Sequence, residues 1–238
     1  MNEQTTWKIE YFTEIDSTNE YAKTKRAARQ NRIAVAESQS GGKGTKGRSF
    51  SSGKGGVYLS MLTFYKEFPA KNAFQIMAST AVAVAKTLEV FGLKPVIKWA
   101  NDIFVDGKKI CGILIENTFS GAYVDNAVIG VGLNVSNELP AELNDIAITM
   151  EQALKKRVDV NTVRDTLIAE LKKTNGMDEY INRIGYMGKK ATLICNDKTQ
   201  VVTLRSVDSE GGLNVVTSQG ETLRFVAGEI SLRLEEKE

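Results

Sequence analysis

Val96-Ile97-Lys98-Trp99-Ala100-Asn101-Asp102-Ile103-Phe104-Val105-Asp106-Gly107-Lys108-Lys109-Ile110-Cys111-Gly112-Ile113-Leu114-Ile115-Glu116 is the stretch on which the reading of the fold turns. Asp106-Gly107 favours the positive φ values that a two-residue hairpin turn demands. Apolar runs flank it, Ile103-Phe104-Val105 before and Lys108 to Glu116 after. The pattern predicts an antiparallel hairpin, reached from a short strand Val96-Ile97-Lys98-Trp99 through Ala100-Asn101-Asp102. Further strands are expected around Ser120-Gly121, and Ile129-Gly130-Val131-Gly132-Leu133-Asn134-Val135 closes the antiparallel set.

Toward the N-terminus, Asp16-Ser17-Thr18-Asn19-Glu20 opens a helical stretch to about Arg29, with Ser17 and Glu20 at capping-box spacing. Arg32 to Glu37 reads as a strand running into Ser38 to Arg48, a long glycine loop, and Val57 to Phe64 is the next strand. From Asn72 to Phe91 the apolar residues Phe74, Met77, Ala81, Val84, Leu88 and Phe91 step by three and four, the mark of a packed amphipathic helix. Toward the C-terminus, Ile148 to Lys156 and Val163 to Tyr180 carry helical spacing. From Lys189 onward short strands with Asp, Asn and Gly turns (Ala191–Cys195, Gln200–Ser206, Leu213–Thr217, Thr222–Phe225, Ile230–Leu234) suggest a small barrel, with a boundary near Tyr186 to Gly188.

The whole chain of 238 residues is 42% hydrophobic and 25% charged, the composition of an ordinary globular protein with a substantial core. No apolar run approaches the length of a membrane span and Met1 to Trp7 is too polar for a signal peptide, so a cytoplasmic protein is expected. Two cysteines, Cys111 and Cys195, and no histidine argue against a zinc cluster, a disulfide framework and imidazole acid-base chemistry. What remains is chemistry that lysine, arginine, carboxylates, backbone amides and a bound Mg2+ perform. The net charge of +2 gives no broad field for duplex nucleic acid.

Gly41 to Arg48 combines four glycines with Lys43, Lys46 and Arg48, a composition suited either to cradling an anion or to a solvated surface loop. It has neither Walker order nor a following helix, which sets it apart from the common phosphate loops. Lys98 and Lys109 each fall inside an apolar strand pattern. Either an anion compensates their burial or each snorkels from a strand end into water. Asn101 and Asp102 are oxygen donors suited to Mg2+ brought in by a nucleotide, or simply turn residues.

Together, Asp16-Ser17-Thr18-Asn19, Gly42-Lys43-Gly44-Thr45-Lys46-Gly47-Arg48, Lys98-Trp99-Ala100-Asn101-Asp102, Lys109 to Glu116, Gly130-Val131-Gly132-Leu133-Asn134 and the closing Gly228 to Arg233 resemble a biotin protein ligase over nearly the whole chain. The resemblance implies a class II synthetase-like α+β catalytic domain, residues 1–186, with a mixed, largely antiparallel sheet and flanking helices. A C-terminal SH3-like β-barrel would follow over 187–238. It implies formation of biotinyl-AMP from biotin and ATP, then transfer of biotin to one lysine of a carrier. The groups implied in catalysis are Lys109, Lys98, Arg48 and Asp102. The implied biotin contacts are Ser17, Thr18, Asn19, Gln39, Gly42, Lys43, Gly44, Thr45, Tyr58, Ser60, Lys109, Gly112, Ile113, Gly130 and Gly132. The implied nucleotide contacts are Lys46, Arg48, Phe50, Lys98, Asn101, Asn134 and Arg233, with Asn101 and Asp102 holding Mg2+. The implied partner is a biotin carboxyl carrier protein or a similar carrier domain, with no membrane. A homodimer is compatible with the resemblance. Alternatives are a lipoate or octanoate ligase of similar fold and a non-catalytic biotin or nucleotide sensor.

Some members carry an N-terminal DNA-binding winged helix. Here Asp16-Ser17-Thr18-Asn19 comes so early that neither this domain nor DNA binding is expected. Ala100 replaces the proline usual in the Lys-Trp-Pro-Asn-Asp motif. Thr45 stands where the Gly-Arg-Gly-Arg-Arg-Gly-Arg loop has an arginine, and Lys43 and Lys46 offer point charges in place of bidentate forks. The adenylate should therefore be held more loosely. A Thr45→Arg variant is expected to release biotinyl-AMP more slowly than the natural chain; equal release rates in a chase experiment would refute this.

Overall fold

The computed structural model describes residues 6–195, 198–228 and 230–234. Its larger sheet has seven strands: β1 (Lys8–Ile15), β2 (Arg32–Gln39), β3 (Val57–Pro69), β4 (Val96–Lys98), β5 (Asp102–Val105), β6 (Lys108–Ser120) and β7 (Tyr123–Leu133). Their order is β1-β2-β3-β7-β6-β5-β4; β1 pairs parallel with β2 and the rest pair antiparallel. The Asp106-Gly107 hairpin is present, with both residues at positive φ (50° and 76°). Strand β1 is the element that the sequence reading lacks. Its residues Lys-Ile-Glu-Tyr-Phe-Thr-Glu-Ile stay half-exposed at the sheet edge, so no continuous apolar signal marks them.

Helix α1 (Thr18–Thr24) begins at Ser17, whose Oγ accepts from the Glu20 amide at 3.4 Å. Only that half of the anticipated capping box forms, because the Glu20 carboxylate goes to Lys23 and Lys43. Helix α2 (Phe74–Val90) is the long amphipathic helix foreseen, and α3 (Met150–Leu154) starts on a complete capping box between Thr149 and Gln152. The single helix expected over Val163 to Tyr180 is in fact two, α4 (Val160–Leu171) and α5 (Met177–Asn182). The chain breaks at Asn175-Gly176, where the Asn175 amide donates to Ser79 Oγ at 3.0 Å and Gly176 caps α5. No helix among the described residues is long and apolar enough to cross a membrane.

The C-terminal strands β8 (Lys190–Cys195), β9 (Lys198–Val207), β10 (Leu213–Thr217), β11 (Thr222–Phe225) and β12 (Ser231–Leu234) form an antiparallel sheet in the order β11-β10-β9-β8-β12. Its inner residues Ala191, Leu193, Leu204, Leu213 and Val215 join one continuous apolar cluster with Ile97, Ile103 and Leu133 of the larger sheet. The joint is specific. Trp99 Nε1 donates to the buried Gly211 carbonyl at 3.0 Å, and a Cβ on Gly211 would lie 2.0 Å from Phe74. On the other side of the same turn, the Tyr180 hydroxyl donates to the Ala100 carbonyl at 2.9 Å. The Trp99–Ala100 peptide is cis. A Trp99→Phe change would leave the Gly211 carbonyl buried without its donor. It is expected to cost about 1–3 kcal/mol of stability, read by urea denaturation.

Candidate active site

The site lies on the sheet face covered by α1 and the glycine loop, while α2 packs on the opposite face. Strand register sets Tyr58, Gly132, Gly112, Asp102 and Lys98 side by side across β3, β7, β6, β5 and β4. The next row on that face is Ser60, Gly130 and Leu114. Glycine at the centre of both rows leaves a trough that any side chain would fill. A Cβ on Gly132 would sit 2.6 Å from the Phe50 ring, and one on Gly130 would sit 2.1 Å from Asn19 Oδ1.

Lys109 reaches this face through an irregularity. Ile103 pairs with Cys111 and Phe104 with Lys109, so Ile110 is an extra residue on β6. Ile110 and Cys111 are both fully buried at this register shift. The bulge turns Lys109 away from the core and onto the trough, with its Nζ 2.7 Å from Asp102 Oδ1 and 3.2 Å from where a Gly112 Cβ would be. Of the two expectations for Lys109, an anion that compensates its burial or a path into water, the structure supplies an anion in the Asp102 carboxylate. Lys98 ends β4, half-buried, with its Nζ 5.0 Å from the Phe104 ring centroid. Burial, first of all, pushes its ammonium below the ordinary lysine range; Asp102 opposes the shift, and the like charges of Lys109 and Arg48 add to it. Lys98, Lys109 and Arg48 lie near one another in this cleft, a grouping of cations suited to carboxylate and phosphate groups.

The glycine loop folds on itself: Gly44 N donates to the Arg48 carbonyl at 2.7 Å and Phe50 N to the Gly42 carbonyl at 2.9 Å. This return brings the Phe50 ring down on the Gly112 and Gly132 floor. Arg48 is held locally, its Nε donating to the Thr45 carbonyl at 3.2 Å and a terminal nitrogen to Thr45 Oγ1 at 3.0 Å. Lys43 Nζ pairs with Glu20 at 2.5 Å, whereas Lys46 Nζ donates to the Ile230 carbonyl of the smaller sheet at 3.2 Å. Two loop cations are thus tied to different elements.

The opposite end is neutral and polar. Ser60 Oγ lies 2.7 Å from Thr18 Oγ1 and 2.6 Å from Asn19 Oδ1. Gln39 Oε1 accepts from Thr18 N at 2.9 Å and Thr18 Oγ1 at 3.0 Å, and Gln39 Nε2 donates to Ser52. Every member of this cluster is held by another, so its donors and acceptors are fixed in direction.

These parts line one cleft of about 1370 Å³, with Ser17, Ile113 and Asn134 also on its walls. Gly42, Lys46, Tyr58 and Ser60 lie outside the lining. Tyr58 is fully buried with its hydroxyl donating to the Gly53 carbonyl at 2.7 Å, and Ser60 lies beneath Thr18 and Asn19. The Arg233 side chain lies outside the described residues. Lys189, Tyr186 and Leu232 also line the cleft and are absent from the sequence reading; no local pattern could have brought them there. Glu116 is different. Its period-two spacing from Gly112 and Leu114 places it on the same face, a signal that was available. Among the described residues no cluster of three or more metal-binding side chains exists. Asn101, whose Nδ2 is spent on the Ile113 carbonyl, and Asp102 offer one amide oxygen and one carboxylate. That set fits a Mg2+ held mainly by nucleotide phosphates and does not amount to a protein cage.

The model of the biotin/lipoate A/B protein ligase family matches residues 11–134, more than half of the chain. The bifunctional ligase/repressor BirA of Escherichia coli (strain K12) is 31% identical over 94% of this chain and 73% of its own length. The biotin--[acetyl-CoA-carboxylase] ligase of Paracoccus denitrificans is 30% identical over 43% of each protein. Among solved structures, the Aquifex aeolicus biotin protein ligase in complex with biotin and ATP superposes with a TM-score of 0.76 at 28% identity, covering 96% of this chain and 99% of that one. The glycine trough, the cations at one end of it and these likenesses lead to one assignment: the chain belongs to the biotin/lipoate A/B protein ligase family.

Proposed function

We infer that the chain is an ATP-dependent biotin protein ligase that makes biotinyl-AMP and passes the biotinyl group to a lysine of a biotin carrier protein. The observation that carries this reading is the two-ended cleft, in which a glycine floor joins the cations Lys98, Lys109 and Arg48 to the neutral cluster of Thr18, Asn19, Gln39 and Ser60. A bicyclic urea on an acid tail matches both ends. A lipoyl or octanoyl group presents no hydrogen-bonding head to that cluster and would leave its polar atoms unanswered. The related E. coli and Aquifex proteins carry ligase names, and the latter was solved with biotin and ATP.

In the first step a biotin carboxylate oxygen attacks the α-phosphorus of ATP, an acyl–phosphate bond forms and pyrophosphate leaves. The carboxylate is already ionised, so no base is required; the obstacle is repulsion between two anions. Lys109, brought onto the floor by the bulge, is assigned to bridge the carboxylate and the α-phosphate, with Lys98 and Arg48 neutralising phosphate oxygens. Mg2+ arriving with the nucleotide would supply further neutralisation, held by Asn101 and Asp102. In the second step a carrier lysine amine attacks the acyl carbon, AMP leaves, and Asp102 is assigned to orient the amine or take its proton. Residues 1–186 would form the catalytic domain and 187–238 an SH3-like companion.

Incubation with biotin, Mg-ATP and a biotin carrier domain is expected to raise the carrier mass by one biotinyl group. Tight binding of biotin without pyrophosphate release would favour a sensor. Lys109→Ala is expected to lower the adenylation rate by at least ~100-fold, the scale of losing one preorganised charge-stabilising donor. Because burial favours the neutral form of Lys98, its ammonium deprotonates at lower pH than a solvated lysine. The kcat/KM for ATP should therefore fall along an alkaline limb beginning below about pH 10.4, the ordinary lysine value. Lys98→Arg should move that limb upward in a pyrophosphate-exchange assay, and an unmoved limb would assign the titration elsewhere.

A further inference from the structure

We propose that Glu116 is a positioning residue for substrate recognition, acting through Asn19: it decides which edge of the Asn19 amide faces the pocket. Asn19 is only 5% exposed and lies against Gly130 on the trough floor. Its Nδ2 donates to Glu116 Oε2 at 3.1 Å, and its Oδ1 accepts from Ser60 Oγ at 2.6 Å. A carboxylate only accepts, so the amide nitrogen must turn toward Glu116 and the oxygen toward Ser60 and the cleft. Glu116 is itself held, because its other oxygen pairs with Lys23 Nζ at 2.5 Å and Lys23 also pairs with Glu20. The pocket end thereby presents an acceptor oxygen and selects a substrate head bearing an N–H donor there, as a cyclic urea does. With the amide reversed, an N–H would face the substrate N–H; Ser60 could still donate to Thr18 Oγ1 at 2.7 Å, so it is Glu116 that decides the orientation. The inference rests on the biotin reading above.

The test separates the hydrogen bond from the ion pair. Glu116→Leu is expected to raise the KM for biotin by about tenfold or more, the scale of one misdirected hydrogen bond, with the KM for ATP essentially unchanged. Lys23→Met, which leaves the Glu116 carboxylate facing Asn19, is expected to keep the biotin KM near that of the natural chain. Adding Glu116→Gln to Lys23→Met should preserve it, because the glutamine oxygen, no longer drawn to an ammonium, accepts from Asn19. Thermal melting of each variant accompanies the kinetics. An unchanged biotin KM in Glu116→Leu, equal rises in both KM values, or a Lys23→Met/Glu116→Gln protein as weak as Glu116→Leu would each overturn the proposal. Absence of biotin-dependent pyrophosphate release from the natural chain would instead overturn the functional reading itself.

Discussion

One extra residue in one strand governs the chemistry of this protein. Without the bulge at Ile110, the pleat would aim Lys109 into the apolar layer beside Cys111, where an ammonium costs several kcal/mol to bury. With it, Lys109 stands over Gly112 and meets Asp102 on the neighbouring strand. Asp102 in turn is the cross-strand neighbour of Lys98, so one carboxylate pairs with Lys109 and offsets part of the charge of Lys98. The remaining features follow from giving those charges a chamber. Gly112, Gly130 and Gly132 keep the floor low, and the glycine loop bends back to cover it.

The cover is not a free flap in this arrangement. Lys43 anchors its beginning to Glu20 of α1, and that carboxylate is held near pKa 2 by hydrogen bonding to Lys23 and to Lys43. Lys46 anchors its middle to a backbone carbonyl of the smaller sheet. Elements far apart in sequence therefore share responsibility for one short segment. Lys43 also lines the cleft, so its pairing with Glu20 leaves it at the place the sequence reading gave it.

Features written in local pattern were legible beforehand. The Asp106-Gly107 turn, the apolar stripe of α2 and the five-stranded C-terminal texture all depend on residues close in sequence. The polar and cationic motifs were legible as well, and the strand register explains their grouping: Ser60, Gly130, Gly132 and Gly112 are neighbours only across strands. What escaped is long-range or compensated. Strand β1 has too little buried surface to declare itself, the α4–α5 break is stabilised by Ser79 from another helix, and the bulge at Ile110 leaves no mark in residue type. The partnership of Glu116 with Asn19 spans 97 positions, so its alternation with Gly112 showed a face but not a partner.

The contact between Trp99 and Gly211 carries a lesson for anyone dissecting the molecule. A boundary drawn at residue 186 separates two sheets in topology but cuts through a single apolar cluster and severs the indole from its acceptor. The turn bearing Lys98, Asn101 and Asp102 rests partly on Gly211, a residue of the smaller sheet's turn far along the chain. In biosynthesis the turn thus acquires this support only after the ribosome has added the segment that separates Trp99 from Gly211, 112 positions downstream, and until then the reactive strand lacks its brace.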